Sequence, residues 1–195
     1  MRERPILFKG EMVRALLRDE KTQTRRIVKP QPLGESLSDP LDGKWLGKRF
    51  GGLLLPRVSD LPLECPFGEV GDRLWVKETW APLGQHAAIY QASNIGYPVA
   101  KWKPSIFMPR WASRITLEIT DRRVEKLEDI SEADAKAEGV TLIPCTHPGC
   151  AGDSRCAADS YRGAYAVLWN KINAKKYPWG GRWWVWVVEV KRLSI

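Results

Sequence analysis

Long apolar runs are missing from this sequence, and cysteine and histidine are scarce in it. No stretch approaches the roughly 20 apolar residues that a membrane span requires. The run Ile6-Leu7-Phe8 is too short to be the core of a signal peptide. Four cysteines in 195 residues are too few for a disulfide-stapled secreted scaffold. We therefore expect a cytoplasmic protein that has no membrane partner.

The residues that are present predict a packed domain of mixed secondary structure. Hydrophobic residues make up 44% of the chain, which is enough for a core and too much for a disordered chain. A length of 195 residues favours one domain, spanning 1–195. The residue pattern predicts strands at 73–80, 88–91, 112–124 and 183–193, and helices at 11–18, 131–139 and 161–174.

Two further segments lack a sustained period. Residues at about 31–66 are rich in Pro, Gly and Asp, and residues at about 141–160 are rich in Cys, Gly, Pro and Asp. Both are predicted to be long loop insertions. Helices and strands alternate too irregularly for a doubly wound sheet, so we expect an α+β fold, a small mixed β-barrel with peripheral helices.

The charge is basic and unevenly distributed. The chain has 31 Lys and Arg against 23 Asp and Glu, a net charge of +8. Residues 1–30 alone carry nine cations and four acids, a net charge of +5. Such a concentrated patch is typical of proteins that bind a polyanion such as RNA, although plain solubility would also explain it.

The densest polar cluster is Lys21-Thr22-Gln23-Thr24-Arg25-Arg26, directly after the first predicted helix. It is either a solvated basic loop or an anion-binding segment in which Arg25 and Arg26 offer planar forks to phosphate. A lysine close to a threonine also suits hydrolytic chemistry, in which the amine activates the hydroxyl.

The pattern Asp19-x-Lys21-x-x-Thr24-x-Arg26 resembles the GxKxxTxR signature of the ASCH domains, which belong to the PUA-like superfamily. Asp19 stands where the family usually has glycine. Three other segments agree with the family in order along the chain, and prophage-encoded ASCH-like proteins are the most similar in this respect. These segments are Ile6–Phe8, Gly71–Leu74 and Trp186–Val190.

The resemblance implies a PUA-like β-barrel with a cleft over the signature segment, in a protein that binds RNA or a nucleotide. One small bacterial ASCH protein is an amidohydrolase of N(4)-acetylcytidine that uses a Lys, a Thr and a Glu. The resemblance carries these roles to Lys21, Thr24 and Glu138. It therefore implies RNA or a modified nucleoside as the partner.

Glu78 and Trp80 are further candidates for ligand binding. Alternation along 73–78 places Glu78 on the apolar face with Leu74 and Val76, where a carboxylate needs a basic partner. Arg25 and Arg26 are candidates for that partner in a structural ion pair. Trp80, near a predicted strand end, either fills the core or stacks on a base.

A separate motif gathers Cys145, His147, Cys150 and Cys156 within twelve residues of predicted loop. Three thiols and one imidazole could complete a tetrahedral structural zinc site. Free surface thiols and a disulfide are the alternatives. The remaining cysteine, Cys65, is expected to be a buried thiol.

The leading functional hypothesis is an RNA- or nucleotide-binding protein of phage or prophage type. The rival hypotheses are an amidohydrolase of acetylated pyrimidine nucleosides, a ribonuclease, and an accessory protein that binds another protein. A buried triangle of Lys21, Thr24 and Glu138 would favour an enzyme. A wide basic face without that triangle would favour RNA binding, and an exposed apolar patch would favour a protein partner.

Overall fold

The structure is a computed structural model that describes residues 1–29, 31, 65–142 and 160–193. Within these residues the fold is mixed α+β, with a five-stranded sheet, a two-stranded sheet and three helices. The strands are β1 (Glu3–Leu7), β2 (Gln23–Ile27), β3 (Arg73–Lys77), β4 (Trp80–Leu83), β5 (Ala87–Tyr90), β6 (Thr116–Lys126) and β7 (Trp184–Leu193). The helices are α1 (Gly10–Leu17), α2 (Glu132–Ala137) and α3 (Tyr161–Asn173).

The five-stranded sheet has the order β1-β3-β6-β7-β2, and β4 pairs with β5 separately. β1 runs parallel to β3, whereas every other neighbouring pair is antiparallel. β1 and β2 are therefore the two outer strands. A side chain nevertheless links them, because Nη2 of Arg26 on β2 donates to the carbonyl of Leu7 on β1 at 2.6 Å.

β7 lies at the centre of the packing because both of its faces are buried. Trp184, Trp186, Val188 and Val190 contribute to a core shared with β1, β3, β6 and α1. Val185 and Val187 contribute to a second core, under α2 and α3. A nearly continuous apolar run is what a strand with two covered faces requires. The predicted strand at 183–193 is confirmed on this basis.

The helices begin where the sequence indicates. Ser131 caps α2, since its side chain accepts a hydrogen bond from the amide of Asp134, and Ser160 caps α3 in the same way through Gly163. α1 buries Val13, Ala15 and Leu16 on one face. None of the described helices is long and apolar enough to cross a membrane.

Two expectations about local structure need correction. The predicted strand at 73–80 is divided into β3 and β4 around Glu78 and Thr79. The Lys21–Arg26 segment is not a solvated loop, because Gln23–Ile27 forms β2 and pairs with β7. Polar residues can form this strand since their side chains meet partners across the sheet, which local composition does not reveal. Most of the two predicted insertions lies outside the described residues.

The backbone at Asp19 explains why the position suits glycine. Asp19 has a φ of 56°, in the left-handed region that glycine adopts freely and that Asp and Asn tolerate better than other residues. This residue turns the chain from α1 toward Lys21. Its carboxylate also accepts two hydrogen bonds from Arg192 on β7, at 2.8 and 2.7 Å.

Gly139 follows α2 and allows the end of that helix to lie close to α1 and to Lys21. Its φ is 79°, and a Cβ atom there would lie 2.7 Å from Cβ of Ala15 and 2.9 Å from Cβ of Lys21. The predicted stop of the helix at Gly139 is confirmed. A glycine is required here both by the backbone angle and by the space.

Gly139→Ala is predicted to lower the free energy of unfolding by about 3 kcal/mol, since the left-handed backbone costs about 1–2 kcal/mol and the clash adds about as much. Gly84→Ala is the matched control, with a φ of 71° and no atom within 4 Å of its Cβ position. It should lose only the backbone part. Urea denaturation measures both values, and equal losses in the two variants would contradict the packing argument.

Candidate functional site

The candidate site is built around a buried ion pair between Lys21 and Glu138. Nζ of Lys21 lies 2.6 Å from Oε2 of Glu138, and both side chains are almost completely excluded from solvent. The backbone brings them together, because Lys21 and Glu138 form an isolated antiparallel bridge and the amide of Thr22 donates to the carbonyl of Ala137 at 2.8 Å. The connection between α1 and β2 is thus hydrogen-bonded to the end of α2.

The ammonium group of Lys21 is fully coordinated. It donates to Oε2 of Glu138, to the carbonyl of Glu138 at 2.9 Å and to the carbonyl of Gln23 at 2.7 Å. An ammonium has three donors, so this set matches its capacity. Burial lowers the pKa of Lys21, and the charge of Glu138 and its hydrogen bond oppose that shift.

Arg25 extends the pair into a network of charges. Its guanidinium lies 3.6 Å from Glu138, 3.4 Å from Asp134 and 3.1 Å from Glu125, and it also donates to Gln23. The Arg25 side chain is fully buried. It is therefore occupied by protein carboxylates and offers no exposed fork to an RNA phosphate.

One oxygen of this network has no donor. Oε1 of Glu138 is buried and accepts no hydrogen bond, although Nη1 of Arg25 lies 3.6 Å from it. Tyr165 of α3 lies near it, and burial followed by the negative charge of Glu138 raises the pKa of the tyrosine well above its usual value. A buried carboxylate oxygen that accepts no hydrogen bond lowers the stability of the protein. A ligand that brought an N–H or O–H group to it would gain a strong hydrogen bond.

A cavity of about 420 Å³ is lined in part by Glu138. It lies along the outer strand β2, between that strand and α3. Its wall is partly aromatic and partly cationic, and both Glu138 and Thr24 contribute to it. The aromatic members are Phe67, Tyr165, Trp169 and Tyr177, and the cationic members are Arg25, Arg26 and Lys29.

The structure therefore brings together Lys21, Thr24 and Glu138, the three residues implied by the resemblance, but only two of them line the cavity. Glu138 and Thr24 line the cavity, whereas the described wall does not include Lys21, which holds Glu138 from its buried side. Arg26 also lines the cavity, with a buried Nε atom that lacks a partner and a guanidinium 5.2 Å from the ring of Phe8.

Glu78 and Trp80 do not join this site. Glu78 is buried as its strand position predicts, but its partner is Arg114, which donates to both carboxylate oxygens at 2.8 and 3.0 Å. The expectation of Arg25 or Arg26 as that partner was wrong, since both lie on β2. Trp80 is 4% exposed and packs with Met108 and Ala112 in a small separate core. It is a core residue with no exposed ring face for a base.

Sequence reasoning missed the aromatic wall on α3. Tyr165 and Trp169 are buried there, one helical turn apart, with their rings 6.2 Å from each other. The signal was the spacing of Tyr161, Tyr165 and Trp169, which places three aromatic rings on one helix face.

The predicted zinc ligands Cys145, His147, Cys150 and Cys156 lie outside the described residues, so the zinc site stays a prediction. Among the residues that are described, no group of three or more His, Cys, Asp or Glu side chains is arranged to hold a metal ion. Cys65 is a buried free thiol, as expected, and burial raises its pKa.

Comparison of the chain with protein-family models, curated proteins and solved structures finds no significant match. The likeness of the Lys21–Arg26 segment to the ASCH signature is therefore a hypothesis. The geometry of the cavity and of the Lys21–Glu138 pair must carry the functional proposal.

Removing one partner of this pair should destabilise the protein strongly, because the other charge then stays buried without compensation. We predict that Lys21→Met and Glu138→Leu each lower the free energy of unfolding by about 3–5 kcal/mol. The double variant should lose clearly less than the sum, since it buries neither of the two charges. Urea denaturation measures the cycle, with exposed Lys175→Met as the control. Strictly additive losses would rule out a coupled pair.

Proposed function

We propose that this chain is an ASCH-like domain of PUA type that binds a nucleoside or nucleotide in the cavity beside β2. The observation that carries the proposal is the combination, in one cavity, of an aromatic wall, the acidic residue Glu138 and the cationic residues Arg26 and Lys29. These features correspond to the three parts of a nucleotide, namely the base face, the base edge and the phosphate.

The size and walls of the cavity suit a base. Small-molecule sites usually measure about 300–1,000 Å³ and are mostly apolar with a few placed polar groups. The cavity of about 420 Å³ falls within this range. Of its rings, those of Phe67 and Tyr177 are half-buried and offer surfaces on which a base can stack. The Glu138 carboxylate would accept from an exocyclic amine such as the N4 group of cytosine once the base enters.

The cationic side chains suit a phosphate. Lys29 is exposed and Arg26 is half-buried, and both line the cavity. Since Arg25 is neutralised by carboxylates inside the protein, Arg26 and Lys29 are the residues of the basic segment that we assign to the phosphate. We therefore place the polyanion contact, which the sequence predicts within residues 1–30, at Arg26 and Lys29 near the end of that segment.

A contact between the two outer strands supports the proposal of a PUA-type fold. The outer strands β1 and β2 are joined by the Arg26 side chain, and Phe8 packs within 5.6 Å of Lys21 and 5.2 Å of Arg26. A strongly curled sheet brings its two edges together in this manner. We propose that the described sheet is the open form of such a barrel.

The binding proposal predicts saturable 1:1 binding of cytidine 5′-monophosphate by isothermal titration calorimetry. Lys29→Glu should weaken that binding about tenfold, because a cation at the phosphate becomes an anion, and should leave the affinity for cytidine nearly unchanged. Ile172→Trp, which fills the cavity, should abolish binding of both. Lys175→Glu and Lys175→Trp are the matched controls on the exposed surface. Absence of cytidine 5′-monophosphate binding by the wild-type protein would refute the proposal.

A second candidate function is amide hydrolysis of an acylated cytidine, favoured by the 2.6 Å contact between Lys21 and Glu138 beside Thr24. Because all three donors of Lys21 are engaged, we assign to Lys21 the task of holding the Glu138 carboxylate. Thr24 would orient a water molecule, and Glu138 would take its proton as the water attacks the acyl carbon. Glu138 would then pass that proton to the departing amine, releasing a carboxylic acid and the nucleoside.

The hydrolase candidate predicts that the wild-type protein releases acetate from N(4)-acetylcytidine faster than buffer does. Thr24→Val should lower kcat at least about a hundredfold, the usual effect of losing a group that assists proton transfer. Thr22→Val is the matched control, because Thr22 is exposed and lies two residues earlier in the chain. A wild-type rate equal to the buffer rate would exclude the hydrolase and leave the binding function.

A further inference from the structure

A second aromatic and basic surface lies outside the cavity, in the chain between β3 and β6. Residues 79–113 contain no Asp or Glu, whereas they contain Lys101, Lys103 and Arg110. This run of 35 residues is cationic in a chain in which 23 residues are acidic. A segment with three cations and no acid is complementary in charge to an anionic partner.

Large apolar side chains of this segment are exposed. Phe107 is 70% exposed, Ile106 61%, Tyr97 53% and Trp111 51%. Single exposed apolar residues are common, but a concentration of large ones within a short segment marks an interaction surface. We call Phe107, Trp111 and the lysines that flank them, Lys77 and Lys103, the aromatic platform.

Buried neighbours hold the ring of Trp111 and the backbone around Phe107. Trp111 meets the buried ring of Trp80 edge-on, with centroids 5.7 Å apart and planes at 89°. Phe107 and Trp111 belong to two short 3-10 turns, Ser105–Phe107 and Arg110–Ala112, which flank the buried Met108. The ring of Trp111 is thus held in place before any partner binds, which reduces the entropy cost of binding.

The cations lie beside these rings. Nζ of Lys77 donates to the carbonyl of Ile106 at 2.6 Å and lies 5.4 Å from the ring of Trp75. Nζ of Lys103 lies 5.3 Å from the ring of Trp80, which in turn contacts Trp111. Arg110 also approaches Trp75, and it pairs with Glu3 at 3.0 Å.

We propose that the aromatic platform binds a single-stranded nucleic acid, with Phe107 and Trp111 stacking on bases and Lys77 and Lys103 meeting phosphates. Alternating rings and cations are the arrangement that single strands require, because every base has a stacking face and every linkage has a charge. A duplex hides its base faces and would gain only the electrostatic part. The absence of acidic residues from 79–113 disfavours a basic protein partner.

This inference goes beyond the nucleotide cavity and does not depend on it. The cavity is lined by β2 and α3, whereas the platform is built by the segment between β3 and β6. The two sites have different sizes, since the cavity holds one nucleotide and the platform accepts several along a strand. Variants of each can therefore be tested separately.

The test is fluorescence anisotropy with a fluorescein-labelled 12-mer of oligouridylate. The double variant Phe107→Ala/Trp111→Ala should weaken binding about tenfold or more, since stacking contributes about 1–3 kcal/mol per base. Phe107→Tyr/Trp111→Phe keeps both rings and should retain most of the affinity. Lys77→Ala/Lys103→Ala should reduce the slope of log K against log salt by about 1.4, at about 0.7 for each lost phosphate contact. Lys175→Ala/Lys176→Ala is the control with the same change of charge.

Three outcomes would overturn the inference. The first is an affinity for the 12-mer that is unchanged in Phe107→Ala/Trp111→Ala, with folding verified by the thermal midpoint. The second is equal affinity of the wild-type protein for the 12-mer and for a duplex of the same length. The third is loss of 12-mer binding in the cavity-filling variant Ile172→Trp. If cytidine 5′-monophosphate fails to bind while the 12-mer depends on Phe107 and Trp111, the cavity proposal fails and this one stands.

Discussion

The Lys21–Glu138 pair is the constraint on which the rest of the structure depends. Two opposite charges with almost no solvent exposure are stable only at short distance and with further hydrogen bonds, which the carbonyls of Gln23 and Glu138 provide to Lys21. The close approach requires the left-handed turn at Asp19 and the glycine at 139, where no Cβ fits. It also fixes α2 against β2, which in turn brings Asp134 and Glu125 around Arg25. The pair thereby fixes the position of Glu138 in the wall of the cavity.

The elements that could be predicted from the sequence are those whose pattern is local. Alternation predicted the buried face of β3 and the burial of Glu78, and periodicity predicted a helix at 131–139, where α2 lies. The partner of Glu78 could not be predicted, because Arg114 is 36 residues away and reaches it only through the pairing of β3 with β6. Strand order is likewise set by long-range packing, to which a single sequence gives no direct access.

Of the predicted site residues, Thr24, Arg26 and Glu138 line the cavity, but their arrangement could not be predicted. Lys21 and Glu138 are 117 residues apart, and only the family resemblance connected them in advance. Arg25 looked like an exposed anion-binding residue because composition does not show which charges carboxylates will cover. Alternation along β2 places Arg25 on the face opposite Thr24 and Arg26, but the sequence pattern predicts no strand there. The error in secondary structure therefore became an error about the site.

Net charge along the sequence is consequently a poor guide to the charge that the surface of this protein presents. The N-terminal segment carries +5, yet Lys21 and Arg25 are buried and compensated by Glu138, Asp134 and Glu125. Their charges contribute little to the field outside, because nearby opposite charges cancel it within a few ångströms. The segment at 79–113 has a smaller excess, but its lysines are exposed and its sequence contains no carboxylate. Without its two buried cations the N-terminal segment keeps an excess of +3, which equals the excess of residues 79–113. The charge density of the sequence around β2 therefore overstates the charge that this part of the chain presents to solvent.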